Sequence, residues 1–253
     1  MPGSISGLRN GAVATVLALA VWQAVVSIGE LPPFILPGPV LVAEALWLNR
    51  AVIAANAVVT IGEVLVGLAL GAALGAATAI QLAASPAARA VVRPVLVFTQ
   101  AVPVFALAPV LTLWFGYGLW SKIAMAVLII YFPVTSAFFD GLTRTPQGFL
   151  DLARTMGAAP RRIMWRVRIP AAIPSLASGM RLAAVYAPIG AVIGEWVGAS
   201  KGLGHLMLLA NGRAKVDLMF AALIVLALFT VLLHAAVDRM ARSLTERMSD
   251  TSG

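Results

Sequence analysis

The chain has no cysteine, which excludes a disulfide framework, a thiolate nucleophile and a cysteine-held metal, and leaves the compartment open. Charge is also scarce: Asp, Glu, Lys and Arg together make up 11% of the residues. Histidine occurs twice, as His205 and His234. Asp238 follows His234 by one helical turn, and a single such pair falls short of a metal site or an acid–base couple. No GxxxxGK[ST] run is present, so there is no phosphate-cradling loop, and the chain alone is not expected to hydrolyse ATP. A membrane-embedded enzyme would need nucleophiles, acids or ligands converging at one depth, and the sequence offers no such cluster.

What is abundant is apolar surface, with 61% hydrophobic residues and a mean hydropathy of +0.96, well outside the balance of a soluble domain. A crossing needs about 20 apolar residues, so the 253 residues accommodate about six crossings and leave no room for a soluble catalytic domain. The expectation is an all-α, polytopic membrane protein forming one domain over residues 1–253, with spans at 11–29, 57–83, 95–115, 123–141, 175–197 and 218–237. The first run is too long for a signal-peptide core, and Glu30-Leu31-Pro32-Pro33 is no small-residue cleavage site, so it reads as a retained span.

Basic residues sort by side in this scheme. Arg9, Arg89, Arg93, six arginines of the long fourth loop (Arg144, Arg154, Arg161, Arg162, Arg166, Arg168), Arg239, Arg242 and Arg247 share one face. Arg50, Lys122, Lys201, Arg213 and Lys215 fall on the other. The first face is therefore expected to be cytoplasmic, together with both termini. The net charge of +8 follows a membrane boundary and does not point to nucleic acid.

Leu31 to Val40 (LPPFILPGPV) is stiffened by proline and should not become helical until after Pro39, where a short interfacial helix can follow to Asn49. Gly67, Gly71, Gly75 and Ala79 recur every four residues, as do Gly190, Gly194 and Gly198. Such rows let helix backbones approach closely, either within the chain or at a two-fold seam.

The segment from Pro146 to Pro170 is built differently. A helix should run from there through Met156 and stop at Gly157 in a left-handed cap, a second should start at Pro160, and Pro170 should end it. Leu150, Leu152, Met156, Ile163, Met164 and Val167 are more apolar surface than a solvated loop needs, so part of this hairpin should be covered by a partner or by the membrane helices.

At these residues the chain resembles the inner-membrane permease subunits of binding-protein-dependent ABC importers, whose cytoplasmic motif reads E-A-A, three residues, G, nine residues, I, any residue, L-P. Asp151, Ala153, Gly157, Val167, Ile169 and Pro170 keep that spacing. Asp stands for Glu, Leu152 for the first Ala, and Val and Ile for Ile and Leu. LPPFILPGPV, VPVFALAPVLTLWFGYG (Val102 to Gly118) and GEWVGASKGLGHLM (Gly194 to Met207) are similar to the nitrate, sulfonate and taurine branch. GYGLWSK, IIYFPVTSAFFDGL and LDLARTMGA are similar to permeases for the hydroxymethylpyrimidine precursor of thiamine.

The resemblance implies a multi-pass protein of the bacterial inner membrane that pairs with a second permease copy as a homodimer and receives solute from an external substrate-binding protein.

 It further implies that Asp151, Leu152, Ala153, Arg154, Met156, Gly157, Pro160, Val167, Ile169 and Pro170 couple the chain to a cytoplasmic ABC ATPase dimer. ATP and Mg would then sit on that partner, with no cofactor on this chain. Gly157 would be the critical position, because a side chain opposes a positive backbone φ.

Ionisable residues within spans are candidates for function. Glu63, Arg181 and Glu195 qualify, with Asp140 near the cytoplasmic end. Glu63 is expected to pair with Arg181. Glu195, which the resemblance puts by a gate, could instead be an interfacial acid paired with Lys201. Phe98, Gln100, Phe105, Tyr131 and Ser136 could line a solute path, or serve only in packing. Trp114, Tyr117 and Trp120 read as an interfacial belt. Pro103, Pro109, Pro133 and Pro188 interrupt three spans, and broken helices in transporters tend to lie near pathways. The rival reading is a proton-coupled secondary transporter using Glu63 or Glu195, which would need neither an ATPase nor the basic hairpin.

Overall fold

The structure, a computed structural model, describes residues 3–250, and every regular element among them is helical. Helix α1 (Gly3–Ile28) is followed by the proline-rich turn and by α2 (Pro39–Leu48). Pro39 occupies the first turn of α2 after an extended Gly38, where its missing N–H costs nothing and its fixed φ favours the helix. Helix α3 (Arg50–Ala84) is about 50 Å long at 1.5 Å per residue. It stops at Ser85, whose hydroxyl accepts from the Ala88 N–H at 3.2 Å and opens α4 (Pro86–Ala101). One Ser-Pro pair thus ends one helix and caps the next.

The single span expected over 95–115 is two helices. Helix α4 ends at Ala101, and α5 (Val104–Phe115) begins after Val102 and Pro103, both extended. Pro103 lacks an N–H and biases Val102 away from helical ψ, so the ladder cannot run through. Helix α6 (Leu119–Thr143) leads to α7 (Gln147–Thr155) and α8 (Pro160–Ile163).

A second correction concerns Pro170, which does not end a helix. Helix α8 passes through a π turn (Met164–Arg168) directly into α9 (Ile169–Gly198). In that turn the Ile169 N–H donates to the Met164 carbonyl, five residues back. The wider turn accepts Pro170, which would otherwise crowd the preceding carbonyls of a regular helix. The second arm of the hairpin is therefore rigidly continuous with a long membrane helix. The chain closes with α10 (Leu203–Gly212) and α11 (Val216–Asp250).

Among the described residues four helices are long and apolar enough to cross a membrane: Arg50–Ala84, Leu119–Thr143, Pro160–Gly198 and Val216–Glu246. Val13–Ile28 and Val104–Phe115 are shorter apolar helices. The centre of the molecule is α3, α6 and α9. A Cβ added at Gly67 would meet Ala126, one at Gly71 would meet Ile130, and one at Gly75 would meet Val134 and Thr135, so α3 and α6 run parallel in four-residue steps. Gly179, Gly190 and Gly194 sit against Val134, Ala126 and Lys122 in the reverse order, so α9 runs antiparallel to α6. Both glycine rows are thus used inside the chain, where in lipid close backbone packing supplies much of the association energy. Val64, Ile130, Val134, Ala184, Ala187 and Ala191 fill this core.

Helix α11 lies along α9, where the Arg181 Nε donates to Asp238 Oδ1 at 2.6 Å. At one end of α3 the Arg168 Nη1 donates to the Ala83 carbonyl at 3.4 Å, and at the other end Asn56 Oδ1 accepts from the Gly202 N–H at 2.8 Å. The hairpin and α10 therefore sit at opposite ends of the bundle.

Candidate functional site

The hairpin begins after Pro146, where α7 starts, and ends α7 in a two-bond cap. Gly157 takes φ +73°, its N–H donates to the Arg154 carbonyl at 2.9 Å, and the Ala158 N–H donates to the Ala153 carbonyl at 3.0 Å. This is the Schellman arrangement, in which the residue after the C-cap must be left-handed. A Cβ on Gly157 would meet nothing within 4 Å. The glycine is needed for its backbone angle alone.

The apolar residues of the hairpin divide into two sets. Leu150 is 2% exposed, and Ile163 and Met164 are also buried against the bundle, whereas Leu152 at 60% and Met156 at 78% face outward. Phe149 is exposed beside them. The inward set fixes the hairpin, and Met164 joins Ala79, Ala83, Phe138, Leu142 and Ala172 in one apolar cluster. The outward set leaves α7 with an uncovered apolar edge. Arg154 Nη1 donates to Asp151 Oδ1 at 2.9 Å on the exposed side, a contact worth little by itself in water. Of the motif residues, Ala153, Val167, Ile169 and Pro170 are half-buried, and Asp151, Arg154, Gly157 and Pro160 are exposed.

At the opposite end the expected ion pairs are different. Glu63 does not meet Arg181: its Oε1 accepts from Lys122 Nζ at 2.9 Å, with both side chains buried. Lys122, assigned from sequence to an outer loop, stands in the first turn of α6 and packs under Gly194. Arg181 is taken by Asp238, which also holds Arg242 at 2.6 Å. Nor does Glu195 pair with Lys201, which is exposed. The Glu195 Oε1 accepts from the Thr60 hydroxyl at 2.6 Å, and its Oε2 accepts from the Gly204 N–H at 2.5 Å. Thr60 Oγ1 also accepts from the Leu203 N–H at 2.8 Å.

The start of α10 is therefore pinned by side chains of α3 and α9. Its first N–H groups, which no intrahelical carbonyl can reach, find Asn56, Thr60 and Glu195 instead. Gly202, at φ +121°, is the position where this carboxylate approaches the backbone, and a Cβ there would collide with it. Glu63 and Glu195 thus have structural partners, and Glu195 is fully buried.

The aromatic path residues do not converge. Phe98 and Phe105 are exposed on either side of the break at Val102 and Pro103. Tyr131 turns toward α3 and donates to Thr78 Oγ1 at 2.9 Å. The side chain of Gln100 lies outside the described residues. A cavity of about 660 Å³ forms instead beside the break, lined by Phe132, Ser136, Leu182, Tyr186 and Val104 among others. Phe132 and Tyr186 were not legible as path residues, although Pro133, which also lines the cavity, was. Trp114, Tyr117 and Trp120 are exposed at the other end of α5 and the start of α6. Among the described residues no group of three or more His, Asp or Glu could hold a metal ion.

Comparison with known proteins places this architecture. Residues 67–250 match the family described as binding-protein-dependent transport system inner membrane component. A probable ABC transporter permease protein of Haemophilus influenzae is 50% identical over 220 residues, covering 87% of this chain and 90% of its own length. A formylaminopyrimidine transport permease protein of Halalkalibacterium halodurans is 34% identical, covering 88% and 90%. A riboflavin transport system permease protein of Chloroflexus aurantiacus is 38% identical, covering 92% and 87%. Among solved structures, the MetNI methionine ABC transporter in an inward-facing conformation shares the fold with a TM-score of 0.60 at 21% identity, covering 82% of this chain and 97% of that one. The chain therefore belongs to the inner membrane components of binding-protein-dependent transport systems: it is a permease subunit of an ABC importer, and not itself an enzyme.

Proposed function

We propose that this permease forms half of a path for a small, flat, neutral heterocycle of the pyrimidine type, and that α7 seats in a groove of a cytoplasmic ABC ATPase. The observation that carries the coupling half is the rigid cap at Gly157 beneath an uncovered edge of Phe149, Leu152 and Met156. A short helix fused through α8 and the π turn to α9 transmits displacement that a slack loop would absorb. Differential affinity of the ATPase for one arrangement then rocks the bundle between two states. An external binding protein delivers the solute, a second copy of the chain completes the path, and ATP and Mg act on the ATPase.

In this proposal α1, α3, the broken pair α4 and α5, α6, α9 and α11 make the six crossings over a single domain. The hairpin and both termini face the cytoplasm, as the bias of arginine toward that end suggests.

The substrate class is supported by the likeness to a formylaminopyrimidine permease and to a riboflavin permease, both for nitrogen heterocycles. The cavity beside Pro133 agrees with it, since its described lining residues include Phe132, Tyr186 and Ser136 and none that is charged. Nitrate, a sulfonate or taurine would lack a cationic partner there. The proton-coupled alternative gains little from Glu195, both of whose carboxylate oxygens are engaged by Thr60 and Gly204, or from Glu63, whose Oε1 is held by Lys122.

Reconstitution with the ATPase and binding protein tests both halves. Formylaminopyrimidine or hydroxymethylpyrimidine is expected to stimulate ATP turnover, and taurine is not. Stimulation by taurine alone would remove the substrate reading, and uptake that survives ATP depletion but collapses with an uncoupler would remove the coupling reading.

A further inference from the structure

A second cavity, of about 590 Å³, lies between the hairpin and the adjoining ends of α3 and α4. Arg89, Arg154, Arg161 and Arg168 line it, and no Asp or Glu is among its described lining residues. Ile80 and Trp165 contribute to an apolar wall on the same cavity. Two of the arginines are held in place by the end of α3: the Arg89 Nε donates to the Leu82 carbonyl at 3.3 Å, and the Arg168 Nη1 donates to the Ala83 carbonyl at 3.4 Å. Arg89 also stacks over Phe139 at 5.3 Å. Yet the Arg168 Nε is buried without a hydrogen-bond partner among the described residues.

A buried donor of a charged group left without an acceptor is costly, and native structures seldom leave one unanswered by an ordered water or a ligand. Capping the end of α3 accounts for one N–H each of Arg89 and Arg168, and Asp151 engages Arg154 from outside the cavity lining. Several guanidinium donors remain, in the planar fork geometry that suits phosphate oxygens. The apolar wall beside them argues for an amphipathic ligand, because a free anion would gain nothing from Ile80 and Trp165. Basic pockets between helices at the cytoplasmic boundary are where anionic headgroups are expected to bind.

We propose that this cavity binds the phosphate of an anionic phospholipid of the inner leaflet, which would brace the hairpin against the end of α3. The proposal rests on the reading of the basic end as cytoplasmic, and lipid retention is read on the permease without the ATPase.

The full chain, purified in detergent, is loaded with phosphatidylglycerol or phosphatidylcholine, and retained lipid is read by native mass spectrometry. Phosphatidylglycerol should be retained over phosphatidylcholine on the order of tenfold, as several arginines at a surface would give. Arg89→Gln with Arg168→Gln should abolish that preference. Arg161→Gln, whose side chain is exposed and whose loss disturbs no packing, should weaken it. If the double variant is not monodisperse, Arg161→Gln carries the test. Unchanged preference in a monodisperse variant would overturn the proposal. Displacement of the lipid by millimolar inorganic phosphate would assign the cavity to a free anion, and displacement by added ATPase would assign the arginines to the protein interface; either result overturns the lipid assignment. Leu152→Ser, on the outward edge of α7 and not in the cavity lining, should keep the lipid while losing the ATPase, so failure of this site and failure of the coupling role can be told apart.

Discussion

Lys122→Met is expected to lower the unfolding midpoint of the purified chain by on the order of 10 °C, and to reduce the amount that accumulates in the membrane. The ion pair with Glu63 is buried on both sides at 2.9 Å. Removing one partner leaves the other as an uncompensated charge, which typically costs about 3–5 kcal/mol in a protein interior. Met occupies much of the volume of the Lys stem, so lost packing beneath Gly194 contributes little to the change. The matched double change, Glu63→Gln with Lys122→Met, should recover most of the loss because it removes the stranded charge. A double variant as unstable as the single one would show that packing, and not charge, is what Lys122 supplies. A single variant that unfolds at the wild-type temperature would contradict the pairing altogether.

Gly157→Val should have a different outcome, with folding and insertion preserved and the ATPase lost. No atom lies within 4 Å of the added Cβ, so the cost comes from the backbone alone. A β-branched residue at φ +73° is disfavoured by roughly 1–2 kcal/mol. That is small against the stability of a bundle whose core lies elsewhere. It is large enough to open the cap, releasing the bonds from Gly157 to Arg154 and from Ala158 to Ala153 and turning the exposed edge of α7 away from its partner. Co-purification with the ATPase is expected to fall about tenfold or more, as one to two such units of energy imply. Gly157→Asn is the discriminating control, because Asn tolerates the left-handed region, and it should retain most of the ATPase. Equal loss with Asn would assign the effect to bulk at the interface instead of to the backbone angle.

The parts of the fold legible in the sequence were those fixed by chemistry within a few residues. Pro39 starting α2, Gly157 capping α7 and Pro160 opening α8 each follow from what one residue's backbone can do. The partners of Glu63, Glu195 and Arg181 were not legible, since they depend on the rotation and register of helices distant in sequence. Lys122 illustrates the difficulty. It follows the Gly116-Tyr117-Gly118 turn and reads as a loop cation, yet α6 already begins at Leu119 and carries it inward onto α3. Pro170 misled for a related reason, because a π turn that absorbs a proline leaves no mark in the sequence. The cavity beside Pro133 was half visible: the prolines pointed to the region, while Phe132 and Tyr186 became neighbours only once α6 and α9 were packed.

The arrangement also gives the two ends of the bundle different mechanical characters. At the α10 end, Asn56, Thr60 and Glu195 pin a short helix through its first N–H groups, so movement there must break several hydrogen bonds together. At the hairpin end, α7 hangs from one buried leucine and a cap, with the continuous α8 and α9 behind it. In the proposed coupling, a push on α7 would be delivered along α9 to the helices lining the cavity, while the opposite end would resist until its polar pins release.

The central claim is that the outward edge of α7 is the contact with the ATPase, and the absence of native cysteine makes it directly measurable. A single cysteine placed by Leu152→Cys should form a cross-link to the ATPase in membranes of cells carrying the whole transporter, whereas one placed by Ala214→Cys, at the α10 end, should form none and should react with an impermeant thiol reagent from outside. Cross-linking at position 214 with none at 152 would contradict the account.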